Sequence, residues 1–293
     1  MLTSPTWPDS YLRSGLYPRE TPMILGNEPA GEIVAVGSGV GSSLKVGQRV
    51  TGYLASGGGY GQYAALPAAK TIVLPDSVDT RTAAGIVLQG LTAWTLVREA
   101  YPVQRGDTVL VHAAAGGVGL LLCQMASHLG ARVIGTASTQ EKADLAKANG
   151  AHEVILYTQG ENVVDKTLEF TDGKGVQGIY DGVGKDTWED DFKVIARKGT
   201  IVTFGNASGA VEPFAPLKLA AKNAKVCRPT LGNYITTREE LDLYSKELFD
   251  LVAKSIVKLK VHKEYPFSAE GIRQSQVDIT GRGTTGKLLI KVA

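Results

Sequence analysis

A glycine-rich turn between a predicted strand and a predicted helix is the clearest candidate for chemistry in the sequence. The segment LVHAAAGGVGLLLCQ occupies residues 110–124. Aligned with the dinucleotide-binding pattern Gly-x-Gly-x-x-Gly, it places Ala114, Gly116 and Gly119 at the three glycine positions. Gly116 would let the backbone approach a pyrophosphate, Gly119 would allow close helix packing, and the phosphate charge would lie at the helix N-terminus. Because the motif lies between the elements that it requires, it predicts a dinucleotide site rather than a plain βα turn.

The end of the next predicted strand indicates which dinucleotide binds. A site for NAD usually has Asp or Glu about 20 residues beyond the glycine turn, where the carboxylate binds the ribose 2′-hydroxyl. This strand ends instead in Ser138 and Thr139, with Lys142 one helical turn later. Hydroxyls and an ammonium group can bind a 2′-phosphate. A solvated helix lysine is the ordinary interpretation of Lys142 alone, but the missing acid and the lysine together predict NADPH.

Strands and helices alternate around this turn. From Asp107 onward, continuous apolar runs such as DTVLVHA, RVIGTA and GTIVTFG are separated by helical segments. That alternation is typical of a parallel sheet covered by helices on both faces. The sequence therefore predicts an α/β fold with a doubly wound, Rossmann-type sheet.

The first part of the chain has a different texture. Residues 1–30 show no helical period, and the short β-like runs EIVAVG, VGQRVTGY, YGQYAAL and KTIVLP follow them. Residues 82–100 have an apolar face at helical spacing. Beyond Leu231 come a long amphipathic segment and a closing strand, KLLIKV, which suits a return to the first, β-rich domain.

Composition limits the classes of function. With 293 residues, 43% hydrophobic and 20% charged, the chain suits two globular domains rather than a disordered protein. A net charge of +2 predicts no strongly charged partner. Two cysteines, Cys123 and Cys227, cannot form a thiolate zinc cage. The histidines lack metal-ligand spacing and are expected to be structural: His112, His128, His152 and His262. No stretch has the length of a membrane span and no signal peptide is evident, so we expect a cytoplasmic protein.

Residues 26–50 resemble the medium-chain dehydrogenase/reductase superfamily. Its zinc alcohol dehydrogenases carry Gly-His-Glu-x-x-Gly here, with the His on zinc. In this chain Asn27 stands at the His position, and the upstream cysteine ligand would fall near Thr6. The rest of the frame is kept by Gly26, Glu28, Gly31 and Gly37. An amide is a poor zinc ligand, so the resemblance implies a zinc-free member.

Among zinc-free branches, the chain most resembles the NADPH:quinone oxidoreductases of the zeta-crystallin type. Their signature is Gly-Asp-x-x-Leu-x-x-x-Ala-Ala-Gly-Gly-x-Gly-x-x-x-x-Gln. It is present in full as Gly106, Asp107, Leu110, Ala114 to Gly117, Gly119 and Gln124. The likeness extends from about Tyr11 to Ile290. It implies a GroES-like catalytic domain over 1–88 and 232–293, a Rossmann NADPH-binding domain over 89–231, and a homodimer.

The resemblance also assigns site residues. The active-site segment supplies Tyr11, Arg13 and Tyr17, and the glycine turn supplies Ala115, Gly116, Gly117, Val118 and Gly119. The 2′-phosphate would be surrounded by Ser138, Lys142 and Tyr157. The path from adenine to nicotinamide would be lined by Thr92, Phe204, Gly205, Asn206, Thr230 and Leu231, with Arg282 near the closing strand. Plainer roles stay open for three of these: Tyr157 as a strand cap, Phe204 as core, and Tyr17 as packing beside Pro18.

The implied reaction is metal-free hydride transfer from NADPH to a quinone, with the product proton coming from solvent or Tyr11. Two alternatives remain: an alkenal or enone double-bond reductase, and a non-enzymatic NADPH- or RNA-binding crystallin-like protein. The low net charge argues against strong RNA affinity. The first strands of the family's barrel are absent, and Met1 to Pro5 looks like an unrelated lead-in. Either the chain is a shortened form or the domain closes differently. An incomplete barrel would expose sheet edges, so we expect lower stability than that of longer relatives.

Overall fold

Two units make up the computed structural model, which describes residues 1–292. One unit comprises Met1–Leu91 and Tyr234–Ala293, and the other comprises Thr92–Asn233. The strands described are β1 Leu2–Thr3, β2 Pro29–Glu32, β3 Arg49–Gly52, β4 Thr71–Val73, β5 Thr108–Val111, β6 Arg132–Ala137, β7 Glu153–Leu156, β8 Val176–Asp181, β9 Ile195–Thr203, β10 Lys225–Cys227, β11 Val261–Pro266 and β12 Lys287–Lys291.

The α-helices described are α1 Trp7–Ser14, α2 Thr80–Thr95, α3 Gly117–His128, α4 Gln140–Ala148, α5 Val163–Phe170, α6 Trp188–Val194, α7 Leu231–Tyr234, α8 Arg238–Ala253 and α9 Ala269–Thr280. A π-helical turn, Leu96–Ala100, continues α2. Short 3₁₀ turns lie at Ala68–Lys70, Tyr157–Gln159 and Pro216–Leu219.

The unit of residues 92–233 is built on a six-stranded parallel sheet. Its strand order is β10-β9-β8-β5-β6-β7, so β5 is flanked by β6 on one side and β8 on the other. The central strands are mainly apolar, and Leu110, Ile134 and Ile179 are fully buried in them. The prediction of a doubly wound parallel sheet is confirmed. The glycine turn follows β5, where the direction of winding reverses and where such sheets bind ligands.

The other unit contains a second six-stranded sheet, in the order β11-β12-β1-β2-β3-β4. The closing strand β12 pairs antiparallel with β1, with Ile290 opposite Thr3. This confirms that the end of the chain returns to the β-rich part. Because β1 lies between β12 and β2, Leu2 and Thr3 are inner members of the sheet. The expectation that they form an unrelated lead-in was wrong.

Helix α1 was also missed in the sequence, where residues 1–30 were expected to be non-helical. The Asp9 carboxylate accepts two hydrogen bonds from Thr6, one from the backbone N–H at 2.8 Å and one from the side-chain hydroxyl at 2.9 Å. This contact caps the first turn. Gly15, in the left-handed region with φ +80°, ends the helix. Two turns are too short for a helical period to be recognised.

The predicted strand around YGQYAAL is absent from the described residues. Gly57 and Gly58 adopt φ values of +80° and +107°, which turn the backbone toward residues 24–26. There Gly59 N–H donates to the Gly26 carbonyl at 2.8 Å. These positive φ values are outside the range of an extended strand and are accessible to glycine. The segment therefore makes irregular backbone hydrogen bonds instead of forming a regular strand.

Candidate functional site

The glycine turn is closed by its own backbone and brings helix α3 close to the end of β5. Ala113 lies in the left-handed region with φ +49°, at a cost of roughly 1–2 kcal/mol for a residue with a side chain. Its carbonyl accepts the N–H of Gly116 at 2.9 Å and closes the turn. A Cβ at position 119 would lie 2.3 Å from that carbonyl oxygen. Helix α3 therefore begins close against the end of β5, and its first N–H groups are available to an anion.

Thr136 of β6 anchors the start of this turn. Its hydroxyl accepts the N–H of Ala113 at 3.1 Å, and its carbonyl accepts the N–H of Ala114 at 3.0 Å. The same hydroxyl lies 3.4 Å from Nδ1 of His112. The other ring nitrogen, Nε2, lies 2.8 Å from Oδ1 of Asp191 on α6. Asp191 and Thr136 were not predicted as site residues. The one sequence signal for the cluster of His112, Thr136 and Asp191 is the position of His112 directly before the glycine turn.

Both members of this buried pair have displaced pKa values. Burial acts to lower the pKa of His112, but the charges of Asp191, Asp181 and Asp190 raise it above its ordinary value. Burial raises the pKa of Asp191 to about 6, although the His112 charge opposes the change. Oδ2 of Asp191 is buried without a hydrogen-bond partner among the described residues.

The predicted 2′-phosphate residues lie at the neighbouring ends of β6 and β7. Nζ of Lys142 donates to the Ser138 hydroxyl at 3.4 Å. The hydroxyl of Thr158 donates to the Ser138 carbonyl, and Tyr157 precedes it at the end of β7. Tyr157 is 50% exposed, so its ring is not part of the core. The structure therefore brings Ser138 and Lys142 into contact and places Tyr157 on the adjacent strand end.

The segment after β9 packs on the turn after β8. Phe204 N–H donates to the Asp181 carbonyl at 2.8 Å. A Cβ at position 205 would lie 2.4 Å from the Gly182 carbonyl oxygen, so this approach requires glycine. Phe204 is half-buried against Gly182, and Asn206 follows it. Of the other predicted cofactor residues, Thr230 is exposed, Leu231 is buried at the start of α7, and Thr92 is half-buried within α2.

The catalytic candidates and Arg282 lie in the other unit. Tyr11 of α1 is buried, and its ring centroid lies 5.1 Å from that of Tyr17 in an edge-to-face contact. The Tyr11 carbonyl also accepts the N–H of Tyr17 at 3.1 Å. Arg13 is exposed on the same helix. Arg282 is exposed after α9 and has φ +60°.

A buried polar network surrounds Asp9 in the same unit. Its carboxylate accepts the N–H of Gly26 at 2.8 Å and the hydroxyl of Tyr60 at 3.3 Å. The side-chain amide of Gln276 donates to the Tyr60 oxygen at 3.2 Å. Burial raises the pKa of the Asp9 carboxyl, although the hydrogen bonds from Gly26 and Thr6 oppose the change. Local sequence patterns did not indicate this network, because its members are far apart in the chain: Tyr60 and Gln276 alone are separated by 216 positions.

The residues present do not fit a catalytic zinc ion. Asn27 stands at the zinc-ligand position of the resembling enzymes, and its amide nitrogen donates to the Leu54 carbonyl at 2.5 Å. The neighbouring Glu28 is engaged by Lys287 and Ser4. Within residues 1–292, no group of three His, Cys, Asp or Glu side chains could hold a metal ion. Nor does that part of the chain contain a helix long and apolar enough to cross a membrane.

Known proteins share this arrangement. Residues 4–76 match the family described as "Alcohol dehydrogenase GroES-like domain", and residues 117–246 match "Zinc-binding dehydrogenase". The chain is 44% identical over 284 residues to a quinone oxidoreductase of Pseudomonas aeruginosa, covering 96% of this chain and 86% of that protein.

Solved structures agree with these matches. Quinone oxidoreductase of Pseudomonas syringae pv. Tomato has a TM-score of 0.95 at 41% identity. Escherichia coli quinone oxidoreductase complexed with NADPH has a TM-score of 0.93 at 40% identity. Each alignment covers 99% of this chain and 89% of the solved chain.

Fold and site together define an oxidoreductase with a GroES-like domain and a Rossmann-type parallel sheet. The chain belongs to the medium-chain dehydrogenase/reductase family, in its quinone oxidoreductase branch. The resemblance found in the sequence is confirmed. The family description that mentions zinc does not transfer to this chain's residues, because an amide engaged with a carbonyl replaces the imidazole ligand.

Proposed function

We propose that this protein is an NADPH-dependent quinone oxidoreductase that needs no metal. The observation that carries the proposal is the end of β6, where Ser138 and Lys142 form a hydroxyl–ammonium pair beyond the glycine turn. No carboxylate takes the place of the NAD-specific acid at the strand end. A 2′-phosphate is attracted by this pair, whereas a carboxylate would repel it.

The unit of residues 92–233 supplies all of the proposed cofactor residues except Arg282, which belongs to the other unit. The turn at Ala115, Gly116, Gly117, Val118 and Gly119 would hold the pyrophosphate on the N–H groups at the start of α3. Ser138, Lys142 and Tyr157 would hold the 2′-phosphate. The proposed path toward the nicotinamide uses Thr92, Phe204, Gly205, Asn206, Thr230 and Leu231, together with Arg282. The split of the structure after residues 91 and 233 supports assigning cofactor binding to the predicted domain of residues 89–231.

The first unit supplies the proposed catalytic residues. NADPH, when bound, supplies the hydride, and a quinone is electrophilic enough to accept it without a Lewis acid. Tyr11 holds a proton for the oxyanion of the product, since its phenol is a donor and an acceptor. The edge-to-face contact with Tyr17 restricts the buried Tyr11 ring. Arg13, exposed on the same helix, offers a cation for the developing negative charge.

The test measures NADPH and NADH oxidation with 9,10-phenanthrenequinone, and a second arm offers an enone acceptor. We expect turnover with NADPH and the quinone. Lys142→Ala should raise the KM for NADPH about tenfold and leave that for NADH unchanged, because only NADPH carries the 2′-phosphate. Lys147→Ala, an exposed lysine at the end of the same helix, is the matched control. Equal use of NADH with no effect of Lys142→Ala would contradict the cofactor assignment, and preferential use of the enone would contradict the substrate class.

We also propose that the enzyme works in the cytoplasm as a homodimer. Both cysteines are unpaired, which suits a reducing compartment. Strand β10 is an edge of its sheet and pairs only with β9 among the described strands, so it offers backbone groups to a second copy. Light scattering coupled to size-exclusion chromatography gives the mass in solution directly, and a mass near 31.0 kDa would contradict the dimer.

A further inference from the structure

His112 is buried beside the glycine turn, although the proposed reaction makes no use of it. Its backbone N–H donates to the Tyr180 carbonyl of β8 at 3.1 Å. Its ring lies between Thr136 of β6 and Asp191 of α6. This residue, directly after β5, therefore contacts β8 through its backbone and β6 and α6 through its ring.

Thr136 connects His112 to the phosphate-binding candidates. Its hydroxyl, 3.4 Å from Nδ1 of His112, also accepts the N–H of Ala113. Thr136 lies on β6, two residues before Ser138, which directly follows that strand. A shift of this hydroxyl would therefore move both the start of the glycine turn and the strand end that carries the proposed 2′-phosphate residues.

Asp191 connects His112 to the second cofactor segment. Helix α6 follows the turn at Gly184, where a Cβ would lie 2.8 Å from the Gly209 carbonyl oxygen and 3.3 Å from that of Gly205. The Asp181 carboxylate fixes this turn by accepting the N–H of Val183 at 2.7 Å. The ring of His112 thus joins the glycine turn to the helix that supports the 204–209 segment.

The His112–Asp191 pair lowers the stability of the folded protein. Oδ2 of Asp191 is buried and has no partner within residues 1–292. The charged groups facing the pair are Asp181 at the end of β8 and Asp190 on α6, both acidic, while Thr136 on β6 is uncharged. A buried carboxylate with one unsatisfied oxygen and acidic neighbours destabilises the fold relative to a neutral side chain. An arrangement of this kind beside a binding loop indicates a functional role.

We propose that His112 is a positioning residue for NADPH, and that its hydrogen-bonded pair with Asp191 holds the glycine turn in the geometry that binds the cofactor. The inference rests on the proposed function. The His112–Asp191 pair changes the affinity for NADPH and does not change the rate of the chemical step.

The experiment measures the Kd of NADPH by fluorescence titration, and kcat at saturating NADPH and quinone. Asp191→Asn keeps the shape and removes the charge, so it should raise Kd about tenfold and change kcat less than about twofold. Glu189→Gln is the control, since that carboxylate on the same helix is exposed and pairs with Lys218. If a folded Asp191→Asn protein binds NADPH as tightly as the wild type, the proposal is overturned.

Thr136 provides a second set of variants that decides the matter if Asp191→Asn does not fold. Thr136→Val removes the hydroxyl and should weaken NADPH binding, whereas Thr136→Ser keeps it and should bind as the wild type does. Equal affinities for the two would reject the positioning role. A wild-type protein that fails to bind NADPH would overturn the proposed function as well, which separates the two failures.

The pH profile distinguishes positioning from a merely structural contribution. The ratio of Kd for Asp191→Asn to Kd for the wild type should be about ten near pH 7.5 and fall toward one near pH 5.5, where Asp191 of the wild type gains a proton. Titration of the NADPH 2′-phosphate cancels in the ratio because it affects both proteins. A ratio that stays constant over this range would contradict the proposed charge dependence.

Discussion

Nζ of Lys287 lies 2.8 Å from Oε2 of Glu28, and both side chains are fully buried. The two residues are 259 positions apart, so the pair joins the closing strand β12 to the segment before β2. Glu28 also accepts the Ser4 hydroxyl at 2.6 Å and the backbone N–H of Leu88 at 2.7 Å. The carboxylate frame residue of the family therefore has a structural role here, because it holds four segments of the β-rich unit together.

Replacing Lys287 by Met should destabilise this unit. The substitution leaves Glu28 charged and buried without its cation, which costs about 3–5 kcal/mol in known cases. Urea unfolding followed by circular dichroism measures the loss. The exposed pair Lys246–Asp250 on α8 is the control, and Lys246→Ala should change the unfolding free energy by less than about 1 kcal/mol. Similar losses for the two variants would contradict the importance of the buried pair.

Gly119→Ala should abolish tight NADPH binding. Its Cβ would lie 2.3 Å from the Ala113 carbonyl oxygen and 2.9 Å from Ala114, so helix α3 would have to move away from the turn. Isothermal titration with NADPH measures the effect. Gly41→Ala is the matched control because nothing lies within 4 Å of a Cβ there. An affinity for Gly119→Ala within twofold of the control would contradict the close helix packing.

Tyr11→Phe tests the proton donor. If the phenol supplies the product proton, kcat should fall by about 10²-fold while the KM for NADPH stays unchanged. Tyr63→Phe, at a tyrosine that is 74% exposed, should leave both parameters unchanged. A normal kcat for Tyr11→Phe would assign proton delivery to solvent.

Stability should respond to pH through Asp191. Its folded-state pKa is about 6, above the ordinary value of 3.8, so the folded protein binds this proton more tightly than the unfolded chain does. The resulting stabilisation is complete below pH 3.8 and is lost as the pH rises through about 6. The raised pKa of His112 acts in the same direction. We therefore expect the difference in unfolding free energy between wild type and Asp191→Asn to favour the wild type increasingly toward acid, and a flat or opposite trend would refute it.

Local patterns in the sequence determined most of the second unit. Apolar strands, helical periods and the glycine turn are encoded within about 15 neighbouring residues, and the resulting parallel sheet and family were predicted correctly. Ser138 and Lys142 also belong to this local information, since they are four positions apart and in contact. Their binding role, like that of Tyr11 and Tyr17, remains a prediction.

Only the tertiary structure shows the elements and buried pairs whose members are far apart in the chain. Three features were not predicted from the sequence: the short capped helix α1, the inner position of β1 in its sheet, and the strand β11 with its neighbour α9. His112 is separated from Asp191 by 79 positions and Glu28 from Lys287 by 259. A buried charge is tolerated only where the fold supplies its counter-charge, and no local pattern in a single sequence shows which residues will meet.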